Sequence, residues 1–302
     1  MTNQTADELN TKFKTGGLTF KTDENSMVIA EISNKLCTAS LTLHGAHILS
    51  YIPKDQKEVV FVSREAIFKE GVPVRGGIPV CWPWFGDHLS DNSVYSHGFA
   101  RRNMWNVKNC LQNSDGSTSI ILSLGGKQNQ YDSWPFDFEA EIEIQAGSTL
   151  TVSLTSINVF NEPFTITNAL HTYFNISDTD NIFISGLDGV TYQDDVDSEK
   201  IKKQSGDIII DREVDRVYMS TEGNCVITDK GFNREIHISK KGSATTVVWN
   251  PWIDNAKNMK DMADDEYKKM VCIEAVNTFD DKQKIVPGSK HTITQIIKVK
   301  SI

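Results

Sequence analysis

Strict alternation of apolar and polar residues at positions 136–146 is the feature that most constrains the fold of this 302-residue chain. Phe, Ala and Ile occupy every second position, with Asp, Glu and Gln between them. A period of two places all the apolar side chains on one face of a β-strand. After a turn at 146–148, the alternation resumes at 150–154, so the two runs predict a β-hairpin with one buried face.

Similar short runs recur along the chain and predict further strands at 41–52, 59–62, 119–124, 164–169, 181–184, 224–228, 235–239, 245–249, 270–275 and 292–299. Lys240-Lys241-Gly242-Ser243 predicts a hairpin turn, and 256–269 predicts a short helix capped by Asp261 or Asp264. Many short strands separated by turn signals favour an all-β fold, an antiparallel β-sandwich. We expect one domain over residues 1–302, because no linker or low-complexity tract interrupts the pattern.

Charge and cysteine usage exclude several classes of protein. The net charge is −9, whereas sequence-independent binding of nucleic acid needs a basic surface. The five cysteines are odd in number and form no Cys-x-x-Cys pair, which argues against a disulfide framework or a zinc site. We find no apolar run long enough for a membrane helix and no signal peptide at the N-terminus. We therefore expect a cytoplasmic monomer with no nucleic-acid or membrane partner.

Two distant segments each place one ionisable side chain in an apolar, strand-like run: His171 in Ala-Leu-His-Thr-Tyr-Phe (169–174) and Glu274 in Val-Cys-Ile-Glu-Ala-Val-Asn (271–277). A carboxylate seldom lies in such a run unless it is paired or used. If the fold brings the two together, they form a proton donor and a proton acceptor. The alternatives are a core histidine with satisfied hydrogen bonds and a glutamate on the polar face of its strand.

Two loop segments carry arginine, glycine and aromatic residues. Arg75 precedes two glycines and a Trp-Pro-Trp motif at 82–84, and Arg101 follows His97-Gly98. Arginine matches phosphate oxygens bidentately, so the two arginines would suit a phosphorylated ligand if both point into one cleft. The alternatives are a loop that packs its aromatics in the core and a surface turn with an incidental basic pair. Asp215 is a candidate acceptor for a sugar hydroxyl, or else a solvated loop charge.

Five motifs occur in an order that resembles the glucose-6-phosphate 1-epimerases, or hexose-6-phosphate mutarotases, of the aldose 1-epimerase superfamily. They are Arg-Gly-Gly-Ile-Pro (75–79), His-Gly-Phe-Ala-Arg (97–101), His-Thr-Tyr-Phe (171–174), Trp-Asn-Pro-Trp (249–252) and Cys-Ile-Glu (272–274). The resemblance extends from about Leu18 to the C-terminus, which leaves residues 1–17 as an N-terminal extension. It implies a β-sandwich of the galactose-mutarotase-like (supersandwich) type that needs no metal or organic cofactor.

The same resemblance implies a role for each candidate site residue. His171 would be the catalytic acid and Glu274 the base, with Arg75, Ser96, His97, Arg101 and Asp215 binding the substrate. Ser96 departs from the larger polar residue that some relatives carry at its position. The implied function is interconversion of the α and β anomers of an aldohexose 6-phosphate, with glucose 6-phosphate as the default. A non-catalytic carbohydrate-binding module and a glycoside hydrolase are the alternatives. The preferred hexose, and the arginine that meets the phosphate, stay open.

Overall fold

We describe the protein from a computed structural model, which covers residues 4–88, 94–128, 130, 131 and 133–302. Its elements, in chain order, are α1 (Ala6–Lys12), β1 (Leu18–Thr22), β2 (Val28–Ser33), β3 (Cys37–Thr42), β4 (His47–Pro53), β5 (Val80–Cys81), β6 (Asn106–Gln112), β7 (Thr118–Gly126), β8 (Phe138–Ala146), β9 (Thr149–Asn158), β10 (Phe164–Ile166), β11 (Asn168–Leu170), β12 (Tyr173–Asn175), β13 (Ile182–Ser185), β14 (Thr191–Asp194), β15 (Lys200–Lys203), β16 (Val214–Tyr218), β17 (Cys225–Asp229), β18 (Arg234–Lys241), β19 (Thr245–Asn250), α2 (Trp252–Asn258), β20 (Met270–Asn277), β21 (Gln283–Ile285) and β22 (Lys290–Ser301). Single 3₁₀ turns lie at Ala100–Arg102, Thr179–Asn181, Glu266–Lys269 and Phe279–Asp281.

Two eight-stranded antiparallel sheets form the sandwich. The first, which we call the site sheet, has the order β15-β14-β16-β19-β20-β11-β5, with β12 also paired to β20. The second, the backing sheet, has the order β13-β17-β18-β22-β9-β8-β7-β6. A four-stranded sheet, β1 to β4, and the pair β10-β21 complete the architecture. Apolar side chains of both large sheets share one core, with Ile273 and Ala275 on the site sheet and Ile293 and Ile297 on the backing sheet.

The predicted hairpin at 136–154 is confirmed as β8 and β9. Every second side chain of β8 is buried, and the glutamates between them face outward, where Glu141 lies opposite Thr155. The period-two pattern succeeds here because one face of the hairpin packs on the core and the other meets solvent.

Five local predictions are wrong. The run 41–52 is two strands separated by a turn in which Gly45 and Ala46 have positive φ. The run 164–169 is also two strands, β10 and β11, which lie in different sheets. The run 59–62 makes only isolated bridges, at Val60 and Val62. Residues 240–243 form no hairpin, because β18 lies in the backing sheet and β19 in the site sheet, so this turn crosses between sheets.

The fifth error concerns the predicted helix at 256–269. Helix α2 begins earlier, directly after Pro251, and ends at Asn258, with only a 3₁₀ turn at Glu266–Lys269. Proline fixes φ near the helical value and therefore suits the start of a helix. Asp261, predicted as a cap, instead accepts a hydrogen bond from Arg75.

The predicted N-terminal extension packs onto the sandwich. A capping box between Thr5 and Glu8 begins α1, and Ala6 and Leu9 are buried in the main core. Within the described ranges, the structure contains no helix with the length and apolar character that crossing a membrane requires.

Candidate active site

The register of one strand pair brings His171 and Glu274 together. Leu170, at the end of β11, lies opposite Ala275, and Tyr173, at the start of β12, lies opposite Cys272. The same register continued through the gap places His171 opposite Glu274. Side chains at opposed positions of an antiparallel pair share a face of the sheet. His171 Nε2 accordingly lies 3.3 Å from Glu274 Oε1.

Alternation along β20 decides which face Glu274 occupies. Val271, Ile273 and Ala275 belong to the main core between the two large sheets, whereas Cys272 and Val276 belong to small apolar clusters on the opposite face. Glu274 is in phase with the second set. Its side chain is only 1% exposed, and that of His171 is 11% exposed, so both groups are largely removed from water.

The motif at 75–79 supports the segment that carries His171 from its other side. The backbone N–H of His171 donates to the carbonyl of Pro79 (3.1 Å), and that of Tyr173 donates to the carbonyl of Gly77 (3.0 Å). A Cβ at Gly77 would lie 2.2 Å from His47 Nε2, and the φ of +70° also favours glycine. His47 donates from Nε2 to the carbonyl of Gly76 (2.8 Å), and burial lowers the pKa of this histidine to about 3, which keeps it neutral.

The pair opens onto a cavity of about 670 Å³, a volume typical of small-molecule sites. Tyr173 stacks on the His171 ring at 4.9 Å, and Trp249 meets both rings edge-on. The cavity is lined by polar residues and an aromatic wall: Arg75, Phe85, Asp87, His97, His171, Tyr173, Asp195, Glu199, Asp215, Trp249 and Glu274, together with Gly86, Val217, Val247, Met259, Thr278 and Phe279.

Arg75 is held at the cavity wall by two contacts. Its Nε donates to Asp261 Oδ1 (3.2 Å), and one terminal nitrogen donates to the Tyr173 hydroxyl (3.1 Å). Both contacts fix the plane of the guanidinium. The side chain is 27% exposed, so the head group is accessible to a ligand in the cavity.

His97 presents a neutral imidazole to the cavity. Its backbone has a φ of 62°, and its N–H donates to the carbonyl of Gly86 (2.7 Å), while Nδ1 accepts from the Gly86 N–H (3.3 Å). Burial, with smaller contributions from Arg101 and Arg75, lowers the pKa of His97 to about 3. Because Nδ1 accepts, the proton of the neutral ring is on Nε2, which can donate to a ligand oxygen.

Burial pushes the two groups of the central pair toward their neutral forms. It lowers the pKa of His171, with help from the positive charges of Arg101 and Arg75, and it raises the pKa of Glu274, with help from Asp215. His171 Nδ1 and Glu274 Oε2 are buried and have no hydrogen-bond partner among the described residues. Each group therefore keeps one polar atom for a ligand.

Asp215 lies on β16, two strands from Glu274 on the same face, and lines the cavity. Burial raises its pKa to about 7, and the carboxylates of Asp195, Glu213 and Asp194 add to the effect. The alternative of a solvated loop charge does not hold, because this residue lies in a strand and is only partly exposed.

Arg101 and Ser96 are not among the residues that line the cavity. Arg101 donates from one terminal nitrogen to the backbone carbonyl of Ser96 (2.9 Å), and its Nε is buried. Its charge still acts on the pair, because it lowers the pKa values of both His171 and Glu274. Of the seven candidates, five therefore line the cavity, and these two lie next to it.

Several residues that line the cavity were not predicted as site residues, among them Tyr173, Asp195, Glu199 and Trp249. Asp261, which accepts a hydrogen bond from Arg75, was not predicted as a site residue either. Tyr173 and Trp249 stand within two of the quoted motifs, but neither was given a role in the site. The acidic residues lie in polar loops whose sequence carries no distinguishing signal. Only the sheet order, with β14 beside β16, brings Asp195 to the cavity.

One group in the site has donor atoms of the kind that bind metals. Ligand atoms of His171, Cys272 and Glu274 lie within 4.8 Å of one another. Burial and the neighbouring Glu274 raise the pKa of the Cys272 thiol well above its usual value, so without a metal ion this thiol is protonated.

Comparison with known proteins relates the chain to sugar epimerases. A curated relative from Escherichia coli K12 named "Putative glucose-6-phosphate 1-epimerase" is 34% identical over 92% of both chains. A relative of the same name from Salmonella typhimurium is 37% identical over 79% of both chains.

Solved structures agree with this relationship. The crystal structure of a "putative mutarotase (YeaD)" from Salmonella typhimurium superposes with a TM-score of 0.87 at 32% identity over 94% of both chains. A galactose 1-epimerase from Lactobacillus acidophilus, 12% identical with a TM-score of 0.72, shares the fold. The predicted sandwich of galactose-mutarotase-like type is thereby confirmed. Because the family model for aldose 1-epimerases matches residues 29–298, this chain belongs to the aldose 1-epimerase family and is an isomerase.

Proposed function

We propose that this protein interconverts the α and β anomers of an aldohexose 6-phosphate, with glucose 6-phosphate as the default substrate. The observation that carries the proposal is the buried His171–Glu274 pair, 3.3 Å apart at the base of a sugar-sized cavity that Arg75 also lines. The two bacterial relatives above bear the name of this activity.

The reaction needs one proton donor and one proton acceptor. We assign His171 the transfer of a proton to the ring oxygen and Glu274 the removal of the proton from the hydroxyl on C1. The bond from C1 to the ring oxygen breaks, the open-chain aldehyde forms, and the bond from C1 to C2 rotates. Closure on the other face reverses both transfers. General acid–base assistance of this kind is worth about 10²- to 10⁴-fold in rate.

The proton count of the pair suits this cycle. Because burial lowers the pKa of His171 and raises that of Glu274, a doubly protonated pair and a fully deprotonated pair are both disfavoured near neutrality. One shared proton remains. These shifts place it on Glu274 in the empty protein, and the assigned cycle starts from the form with the proton on His171, from which the pair gives one proton to the ring oxygen and takes one from the C1 hydroxyl.

Arg75 is the residue we assign to the phosphate. Its guanidinium lines the cavity and is partly exposed, and Asp261 and Tyr173 leave its remaining N–H groups for a ligand. Arg101 already donates to the Ser96 carbonyl, so we assign it an electrostatic role in which its positive charge lowers the pKa values of His171 and Glu274. His97 and Asp215 would bind sugar oxygens, the first as a donor from Nε2.

The direct test measures anomer exchange of glucose 6-phosphate by NMR. His171→Asn and Glu274→Gln should each lower kcat by about 10²- to 10⁴-fold. A matched control is the half-exposed pair of His237 and Glu235 on β18, with 2.9 Å between Nε2 and Oε2. His237→Asn and Glu235→Gln should keep full activity. Full activity in the two site variants would refute the assignment of the acid and the base.

The same preparation tests the two alternatives. A glycoside hydrolase needs two carboxylates beside the scissile bond, and Glu274 and Asp215 do share the cavity. The contact of Glu274 with a histidine favours proton exchange instead. Release of reducing ends from a disaccharide would support the hydrolase, and binding of the sugar phosphate with no anomer exchange would support the carbohydrate-binding module.

A further inference from the structure

Gln295 is a buried polar residue on the face of its strand that otherwise carries apolar side chains. It lies on β22 of the backing sheet between Ile293 and Ile297, and all three are 0% exposed. A carboxamide in such a place is costly unless its hydrogen bonds are satisfied, so its partners indicate what it does.

Both partners of Gln295 lie on the side of the site sheet, Ile273 in β20 and Thr172 between β11 and β12. Its Nε2 donates to the backbone carbonyl of Ile273 (2.9 Å), and its Oε1 accepts from the hydroxyl of Thr172, which is also 0% exposed. Thr172 directly follows His171, and Ile273 directly precedes Glu274. One side chain from the backing sheet therefore contacts the two residues adjacent to the central pair.

The backbone explains why a bridge is needed at this point. Between β11 and β12 the ladder with β20 lacks one of its hydrogen bonds. At the Thr172–Ile273 pair, the Ile273 N–H donates to the Thr172 carbonyl (3.3 Å), but the Thr172 N–H donates to the Leu170 carbonyl (3.1 Å) instead of to Ile273. The Ile273 carbonyl left free by this exchange is the one that accepts from Gln295, so the spacing beside the opposed His171 and Glu274 positions depends in part on a side chain.

We propose that Gln295, acting through Thr172 and the Ile273 carbonyl, is a positioning residue that sets the contact between His171 and Glu274. It touches neither the cavity nor a ligand within it, so its effect is on the geometry of proton transfer rather than on substrate binding. The role rests on the proposed function of the pair.

The test compares kcat and KM in variants that remove one half of the bridge. Thr172→Val keeps the shape of the side chain and removes its hydroxyl, and Gln295→Met keeps the length and removes the carboxamide. Each should lower kcat by about 10- to 100-fold with KM unchanged. The double variant should lose no more than the worse single variant, because both changes break one unit. Thr172→Ser should restore most of the activity.

A matched control separates positioning from general stability. Tyr51 donates a buried hydrogen bond to the Gly147 carbonyl (3.0 Å) from the four-stranded sheet, away from the cavity. Tyr51→Phe should lower the midpoint of thermal unfolding while kcat stays at the wild-type value.

NMR titration of the His171 imidazole supplies a readout that does not depend on the substrate. A changed contact with Glu274 should change the titration of His171 in Thr172→Val, because the two groups titrate as a pair, and Tyr51→Phe should leave it unchanged. If wild-type protein fails to exchange glucose 6-phosphate anomers, the proposed substrate is wrong, and the titration still decides the role of Gln295. Folded Thr172→Val protein with wild-type kcat, or with an unchanged His171 titration, would overturn the proposal.

Discussion

Replacing Asp215 by asparagine should stabilise the protein at alkaline pH and reduce its activity. Asp215 lies on a buried face of the site sheet, where burial and three neighbouring carboxylates raise its pKa from 3.8 to about 7. Above that pH the folded protein must hold a charge that its surroundings disfavour. A neutral amide of similar shape removes this cost, and it also removes the carboxylate that we assign to a sugar hydroxyl.

The sign and size follow from proton linkage. Between pH 3.8 and about 7 the folded state keeps a proton that the unfolded state has released, so the contribution of Asp215 to stability falls as the pH rises. Each pKa unit corresponds to about 1.36 kcal/mol, so the whole change amounts to about 4 kcal/mol. From pH 5 to pH 8, about 3 kcal/mol of this should be lost in the wild-type protein.

Urea unfolding at pH 5 and pH 8 measures the effect as a difference between proteins. Asp215→Asn should lack the decline of about 3 kcal/mol in the free energy of unfolding that Asp215 causes. Asp207→Asn, at an exposed carboxylate, is the matched control and should follow the wild-type protein at both pH values. Equal pH dependence in wild-type protein and Asp215→Asn would show that Asp215 has an ordinary pKa, and the argument from burial would fail.

Three further results are expected. The pH profile of kcat/KM should be bell-shaped, because a second proton on the His171–Glu274 pair removes the base and loss of its single proton removes the acid; a flat profile from pH 4 to 9 would contradict this. Arg75→Ala should lower kcat/KM for glucose 6-phosphate by about 10- to 100-fold and spare free glucose, as expected for a charged hydrogen bond, and equal losses on both sugars would refute the phosphate assignment. Gly98→Ala should cost about 3 kcal/mol or more in urea unfolding, because its Cβ would lie 1.9 Å from the Trp82 carbonyl oxygen at a φ of +70°, and a wild-type midpoint would exclude that clash.

Patterns of period two predicted the fold well wherever one face of a strand meets solvent. The hairpin of β8 and β9 is the clearest case, since every buried position of β8 was predicted from the alternation. The pattern fails at 240–243, because a turn within a hairpin and a turn between two sheets have the same composition. Which sheet a strand joins depends on contacts with distant strands, as with the buried hydrogen bond from Ser243 Oγ to the Val276 carbonyl (2.7 Å).

The central pair could be predicted from the sequence, whereas its surroundings could not. His171 and Glu274 stood out because an ionisable group is rare in an apolar run. Each of the two segments shows this by itself, without knowledge of the fold. Gln295 interrupts a strand in the same way, yet it lies in a run of threonines and lysines, where a glutamine attracts no attention. The expectations of a monomer, of a cytoplasmic location and of no nucleic-acid partner stay predictions.

The electrostatics of the cavity connect its stability to its chemistry. Burial opposes the charged forms of His171, Glu274 and Asp215 alike, and the first two keep buried polar atoms that no described residue satisfies. A packed apolar replacement would remove those costs, so the arrangement makes physical sense only if a polar ligand satisfies the same atoms. A sugar ring carries hydroxyls around its edge and apolar C–H groups on its faces, which match both the free polar atoms and the aromatic wall of Tyr173 and Trp249. The buried polar atoms that destabilise the empty protein are therefore the atoms whose hydrogen bonds a bound sugar would satisfy.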